Sequence, residues 1–218
     1  GFFGTPIPSP PLPPFSQRAQ YTRGIMKQSL TALALLHETG LCHRSIGRSS
    51  LLMNSLSMDK NEAVSPYAVD TGRLVIKMAD FGFSGLMDLA TYDEQFCQRA
   101  RMYDLYFTPS KQQQQQRNNA NDPEKVAAFC MAEDLHALGF VFLGLLLTTL
   151  ADVSSPTPSA AASLPATDED TLQRLLDEIF DKDMELFRDY VDAEDVWEKT
   201  VKMLDERDGW DLLQTMCF

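Results

Sequence analysis

Between Gln17 and His37, apolar residues recur at helical spacing (Ile25, Met26, Leu30, Leu33 and Leu36), and Gly40 follows as a stop. A large apolar side chain every third or fourth position lines one face of a helix, so this stretch predicts a helix packed along one side. Two short apolar runs come next, "SLLMN" (50–54) and "RLVIKMAD" (73–80). They predict the strands of a short β-hairpin, with a polar, flexible loop over about 55–73. From Gly85 to about Pro123 no period is visible. Within that stretch "KQQQQQRNNAND" is polar and of low complexity, which predicts a flexible segment over about 108–123.

The pattern changes again at about Ala132, where a helix is expected to run to Leu150. Its run "LGFVFLGLLLTTLA" (138–151) is apolar around most of its circumference, the mark of a helix buried at the centre of a domain. A spanning helix needs about 20 apolar residues, so this run predicts no transmembrane segment and leaves peripheral attachment to a membrane complex open. "SSPTPSAAASLPA" (154–166) predicts a flexible link over about 152–167. Thr167 is expected to cap a helix over 168–180, with further helices at 182–190, at 193–206 and from Trp210 onward. At the other end "GFFGTPIPSPPLPPF" carries six prolines, so residues 1–15 predict an extended, polyproline-like arm. The reading is therefore an arm over 1–15 and a mainly α domain over 16–218.

A chain of 218 residues, 44% of them hydrophobic, is large enough to bury a real core. The four cysteines (42, 97, 130 and 217) are scattered without a C-x-x-C pair. That spacing favours reduced, buried thiols in an intracellular, reducing compartment over a metal site or a disulfide framework. The net charge of −12 is concentrated: residues 167–208 hold 16 Asp or Glu against 6 Lys or Arg. Such a balance excludes nucleic acid as a partner and predicts solvated helix faces or a docking surface for a basic partner.

The candidate chemistry lies in four stretches whose order matters. "LLH" closes the first helix, then come "LCHRSIGRSSLLMN" (41–54), "MADFGFS" (78–84) and "EDLHALG" (133–139). In that order, over about residues 17–150, they resemble the large, C-terminal lobe of the protein kinase superfamily. The resemblance implies a catalytic loop at His43-Arg44-Ser45, with Ser45, Gly47 and Ser50 where active kinases carry a general-base Asp, a Lys and a magnesium-binding Asn. A Ser hydroxyl is not a base at neutral pH, and losing one general base costs roughly 10²–10⁴ in rate. The loop formed by His43, Arg44, Ser45, Gly47 and Ser50 is thus expected to be degenerate, with no catalytic group intact.

By the same resemblance, Asp80 is the candidate metal and cofactor ligand. Phe81 is expected to pack on His43, Gly82 to permit the turn, and Asp134 to brace the backbone amides of residues 43–45. Arg44 would meet a phosphorylated residue among Thr91, Tyr92, Tyr103, Tyr106 and Thr108. The Ala-Pro-Glu element is displaced, with "TPSK" (108–111) and "DPEK" (122–125) both eligible. No glycine-rich phosphate loop precedes the first helix and "GWDLLQTMCF" ends the chain, so the small lobe is expected to be absent and the large lobe truncated at its C-terminal end. The upper face of such a lobe would carry His43, Leu51, Leu52 and Phe81.

A narrower resemblance joins "TLQRLLDEIFDKDMELFRDYV" and "VKMLDERDGWDLLQTM" to kinase-like proteins of plant and algal plastids, which implies a chloroplast address and a photosynthetic assembly. The expected function is a catalytically impaired, pseudokinase-like lobe that binds protein subunits of a larger complex, with no cofactor. The alternatives are the C-terminal lobe of an active or atypical Ser/Thr kinase using magnesium-ATP, and an unrelated helical adaptor.

Overall fold

The computed structural model describes residues 12–55, 73–87, 94–108, 122–152 and 167–218. Most of the arm expected at 1–15, and nearly all of the segments expected to be flexible, lie outside these residues. The described chain is mainly helical. In order, it forms α1 (Phe15–Glu38), β1 (Leu41–Cys42), β2 (Leu51–Ser55), β3 (Leu74–Met78), β4 (Gly85–Leu86), α2 (Glu94–Arg101) and α3 (Pro123–Thr149). Then come α4 (Glu169–Arg174), continued by a π turn over Leu175–Ile179, and α5 (Met184–Asp192), α6 (Glu198–Asp205) and α7 (Gly209–Cys217). β2 and β3 form one two-stranded sheet, and β1 pairs with β4 antiparallel in another, Leu41 facing Leu86 and Cys42 facing Gly85.

The fold divides into two compact units. One draws its described residues from Gly1–Lys27, Met53–Val75 and Phe140–Thr215, the other from Gln28–Leu52, Ile76–Gly139 and Met216–Phe218.

The first unit holds the C-terminal half of α3 together with α4 to α6. Phe142, Leu143, Leu146 and Leu147 are buried, and so are Leu172, Leu176, Phe187, Val191, Trp197 and Val201. The helices here follow their spacing. α5 buries Met184, Phe187 and Val191 on one face, and Asp183 caps it by accepting from the amides of Glu185 and Leu186. The cap of α4 is Asp168, which accepts from Thr171 N at 2.9 Å, whereas Thr167 pairs its hydroxyl with Thr148. The expected Thr167 cap is therefore one residue early, because the carboxylate at 168 is the group that reaches the amide of the third helical residue, Thr171.

The end of α3 shows how this unit is fastened. The last carbonyls of a helix have no partner within it and must find one outside. Trp197 Nε1 donates to Leu147 O (2.8 Å), Thr200 Oγ1 to Leu150 O (3.3 Å), and Arg18 Nη1 to both Thr149 O (2.6 Å) and Ala151 O (2.9 Å). Arg18 also donates from Nε to Pro13 O, and it is 3% exposed. Substituting Arg18→Met keeps the buried stem but removes three charge-assisted bonds. Stability is expected to fall by about 2–3 kcal/mol, read by urea denaturation; an unchanged midpoint would show that water replaces the guanidinium there.

The second unit is centred on the N-terminal half of α3. Cys42, Met87, Phe96, Cys97, Ala100, Phe107, Val126, Phe129 and Cys130 form one buried cluster. Phe96 meets Phe129 edge-on at 5.1 Å and stacks on Phe107 at 5.7 Å. α2 was not expected from the sequence. It is eight residues long and buries only Phe96, Cys97 and Ala100, too short a run for a period to stand out.

α3 begins at Pro123 rather than near Ala132. Its 27 residues make it the one described helix long and apolar enough to cross a membrane, so the length argument against a span does not hold. What marks α3 as a core helix is its burial, with 61% of its apolar window covered by the rest of the protein.

Candidate functional site

The site is built in the second unit around Asp134, on the N-terminal half of α3 and 1% exposed. Its carboxylate accepts three hydrogen bonds: His43 N to Oδ2 and Arg44 N to Oδ1, both at 2.7 Å, and His37 Nε2 to Oδ2 at 3.0 Å. A carboxylate out of water needs such partners, since burying it unpaired would cost several kcal/mol. Arg44 takes a positive φ of 63°, a conformation that costs a non-glycine residue about 1–3 kcal/mol and persists only where its surroundings impose it. Asp134 supplies that imposition by gripping the consecutive amides of His43 and Arg44.

His43 is completely buried. Its Nε2 donates to Ala79 O at 2.9 Å, which fixes the tautomer with the proton on Nε2; Nδ1 has no partner among the described residues. The ring lies 5.0 Å from that of Phe81. The expected apolar upper face is thereby corrected: His43 is not on it, whereas Leu52 and Phe81 are exposed. Ala79 N donates to Ser50 O, so the loops at 43–50 and 79–83 are joined at two points. Asp80, the residue between Ala79 and the turn over Phe81–Phe83, is exposed and also left-handed, at φ 65° and ψ 52°. Ser84 closes that turn by donating from its hydroxyl to Phe81 O at 2.7 Å.

The remaining loop positions have found structural roles. Ser50 is 1% exposed; its hydroxyl donates to Ser45 O (2.9 Å) and accepts from Gly47 N (3.2 Å). Both of its useful directions are consumed in locking the turn. Gly47 is extended, and a Cβ built on it would meet nothing within 4 Å. At the positions where the kinase resemblance would bring magnesium-ATP, Asp80 offers one exposed carboxylate and Ser50 has turned inward.

Beside Asp134 opens a cavity of about 480 Å³, lined among others by Arg44, Ser45, Phe96, Arg99, Cys130 and Glu133. Arg99 is ion-paired with Glu133 across two helices. Next to the cavity Arg44 Nε donates to Cys42 Sγ at 3.1 Å, and its guanidinium passes close over Gly85, 3.3 Å from where a Cβ would stand. Cys42 and Cys130 belong to the same buried cluster. The neighbouring Cys130 side chain, followed by the Arg44 guanidinium, draws the Cys42 thiol down to about 6, while the Cys42 side chain and burial push the Cys130 thiol up.

Of the residues expected from sequence, His43, Arg44, Ser45, Ser50, Phe81 and Asp134 lie in this one unit with Gly47, Asp80 and Gly82. Of the candidate phosphate acceptors, Thr91 and Tyr92 lie outside the described residues, while Tyr103 and Tyr106 are exposed. "DPEK" opens α3, where Asp122 accepts from Glu124 N. His37, the Cys42–Cys130 pair and the Arg99–Glu133 pair were not anticipated. One signal existed: Cys130 precedes Asp134 by four residues, which puts both on the same face of a helix. No protein-family model, no curated protein and no solved structure matches the chain.

Proposed function

We propose that this chain is a catalytically impaired, kinase-like lobe that serves as a binding subunit of a larger assembly. The observation that carries the reading is the fate of Ser50. At the position where the resemblance implies a metal-binding amide, the side chain is buried and committed to Ser45 O and Gly47 N. Ser45, at the general-base position, brings a hydroxyl that is no base. The Asp134 clamp and the His43–Phe81 contact support the kinase-like part of the reading, since they hold together the loops that the resemblance pairs. Partner binding is supported by the exposure of Leu52, Phe81, Phe83 and Leu86 in one unit, since an interface draws on large apolar side chains open to solvent. The narrower resemblance makes a chloroplast photosynthetic complex the partner class to examine first.

Magnesium-ATP at micromolar concentration is expected to leave the melting temperature unchanged, since a ligand stabilises only by RT ln(1 + [L]/Kd). Ser45→Asp alone is expected to give no phosphoryl transfer to a generic protein substrate, because catalytic groups that act as a unit are not restored singly. A rise of several degrees with the nucleotide, or transfer by the single variant, would favour the active-kinase alternative instead.

A further inference from the structure

We propose that the corner between the π turn and α5 is a docking surface for a basic amphipathic segment of a partner protein. Its apolar side chains would cover Ile179, Phe180, Leu186 and Tyr190, and its Lys or Arg residues would meet the acids around them. The assignment rests on the binding-subunit part of the function proposed above, but it lies wholly in the first unit and uses no residue of the 43–50 loop.

The apolar part of the surface is built outward from the core. Phe187 is completely buried and meets Trp210 edge-on at 6.5 Å. Phe180 stands edge-on to Phe187 at 5.7 Å, and Tyr190 lies 5.5 Å from Phe180 and 6.1 Å from Phe187. Phe180 and Tyr190 are only partly covered. Leu186 precedes Tyr190 by one helical turn, so the two are neighbours on the same strip of α5, and Leu186 is 53% exposed. Ile179, next to Phe180 in the chain, is 67% exposed. The core face of α5 is filled by Met184, Phe187 and Val191, and Leu186 has no place in it. Backbone bonds hold the corner in shape: Phe180 N donates to Leu175 O (3.0 Å), Lys182 N to Leu176 O (2.8 Å) and Asp183 N to Phe180 O (2.8 Å). A surface already ordered in this way loses little freedom on binding.

Charge selects the occupant. Residues 177–195 hold nine Asp or Glu against two bases, Lys182 and Arg188. Arg188 is engaged within the chain, donating to both carboxylate oxygens of Asp205 and to Asp189. Asp181 and Glu185 are exposed and make no ion pair among the described residues. An anionic lipid surface would be repelled here, and a second copy of the corner would bring the same excess of negative charge to the contact. A small cation would answer the charge and leave Ile179 and Leu186 bare. A peptide segment that carries apolar anchors on one face and Lys or Arg beside them answers both, as helices docked by their apolar face do elsewhere.

The test uses the whole chain and a fluorescein-labelled amphipathic peptide of about 14 residues built from Leu and Lys, with Leu recurring at helical spacing. One control peptide has Ser for every Leu, the other Glu for every Lys. Read by fluorescence anisotropy, the Leu–Lys peptide is expected to bind about tenfold more tightly than the Ser–Lys control, and the Leu–Glu control not at all. Ile179→Ser combined with Leu186→Ser alters exposed side chains only, so the fold should persist while binding weakens about tenfold or more. Asp181→Asn with Glu185→Gln is expected to weaken binding about threefold and to reduce its dependence on salt. Equal binding of the Ser–Lys control would mean unspecific attraction to an acidic protein and would overturn the assignment. Binding untouched by the Ile179 and Leu186 variant, or no binding of the Leu–Lys peptide, would overturn it too. If Leu52→Ser with Phe83→Ser abolished binding in its place, this surface would be overturned while the binding-subunit reading stood. A dimer of the parent chain in sedimentation, lost in Leu186→Ser, would make a second copy the occupant and overturn the basic partner.

Discussion

Asp134→Ala is expected to destabilise the second unit more than any other single polar substitution there. The variant leaves the buried amide of His43 without an acceptor, at about 1–3 kcal/mol, and costs the part-buried amide of Arg44 its partner as well. It also strips His37 of its partner and frees Arg44 from the clamp that holds its positive φ. A loss of about 1–3 kcal/mol or more is a large share of the stability of an ordinary domain. Asp134→Asn separates the parts. Its amide keeps one oxygen as acceptor but turns an NH₂ toward the remaining donors, so it should fall between the parent and Ala. Equilibrium denaturation followed by circular dichroism checks both. A melt of Asp134→Ala within experimental error of the parent would mean that the loop finds other acceptors and that the clamp is not what holds it.

Trp197→Ala should be as damaging in the first unit. Trp197 is 1% exposed and heads the fully buried side chains in size. Truncating a buried Trp typically costs about 3–5 kcal/mol, from lost transfer free energy and the cavity left behind. Here the Leu147 carbonyl loses its donor as well. Trp197→Phe retains most of the apolar surface and removes the indole N–H, so a smaller loss of about 1–3 kcal/mol is expected. The difference between the two variants isolates packing from hydrogen bonding. If Phe were as destabilising as Ala, the hydrogen bond to the helix end would outweigh the ring's bulk.

Much of the helical framework was legible in the sequence because burial there is one-sided and periodic: α1, α5 and α6 each present apolar residues at three- and four-residue steps. The hairpin of β2 and β3 was legible from its two apolar runs. Elements whose stability comes from tertiary packing were not. β1 and β4 are two residues each and exist because Cys42 and Gly85 meet across 43 residues of chain. α2 is held by three aromatic and small side chains against α3. The helix expected over 168–180 instead loosens into a π turn, and Asp181 and Lys182 both adopt positive φ before α5 starts. Neither residue signals such a bend as a glycine would.

At the site, Asp134 and the loop at 43–45 could be paired only through the order of motifs, never through composition. Whether the Ser50 hydroxyl faced a ligand or its own turn depended on one rotamer, which no spacing rule reaches. That Cys42 and Cys130 share one buried cluster was equally invisible, since nothing local in either stretch announces the other.

The carbonyls at the end of α3 set a timetable for the growing chain. Their donors come from both directions: Arg18 is made long before α3, and Trp197 and Thr200 are each made 50 residues after the carbonyl they satisfy. At translation rates of about 5–20 residues per second, those carbonyls wait on the order of 3–10 s for their last partners. During that interval Phe142, Leu143, Leu146 and Leu147 have left the ribosome without the helices that cover them. The nascent chain therefore passes through a window in which the C-terminal half of its most apolar helix lacks the partners that later fasten it.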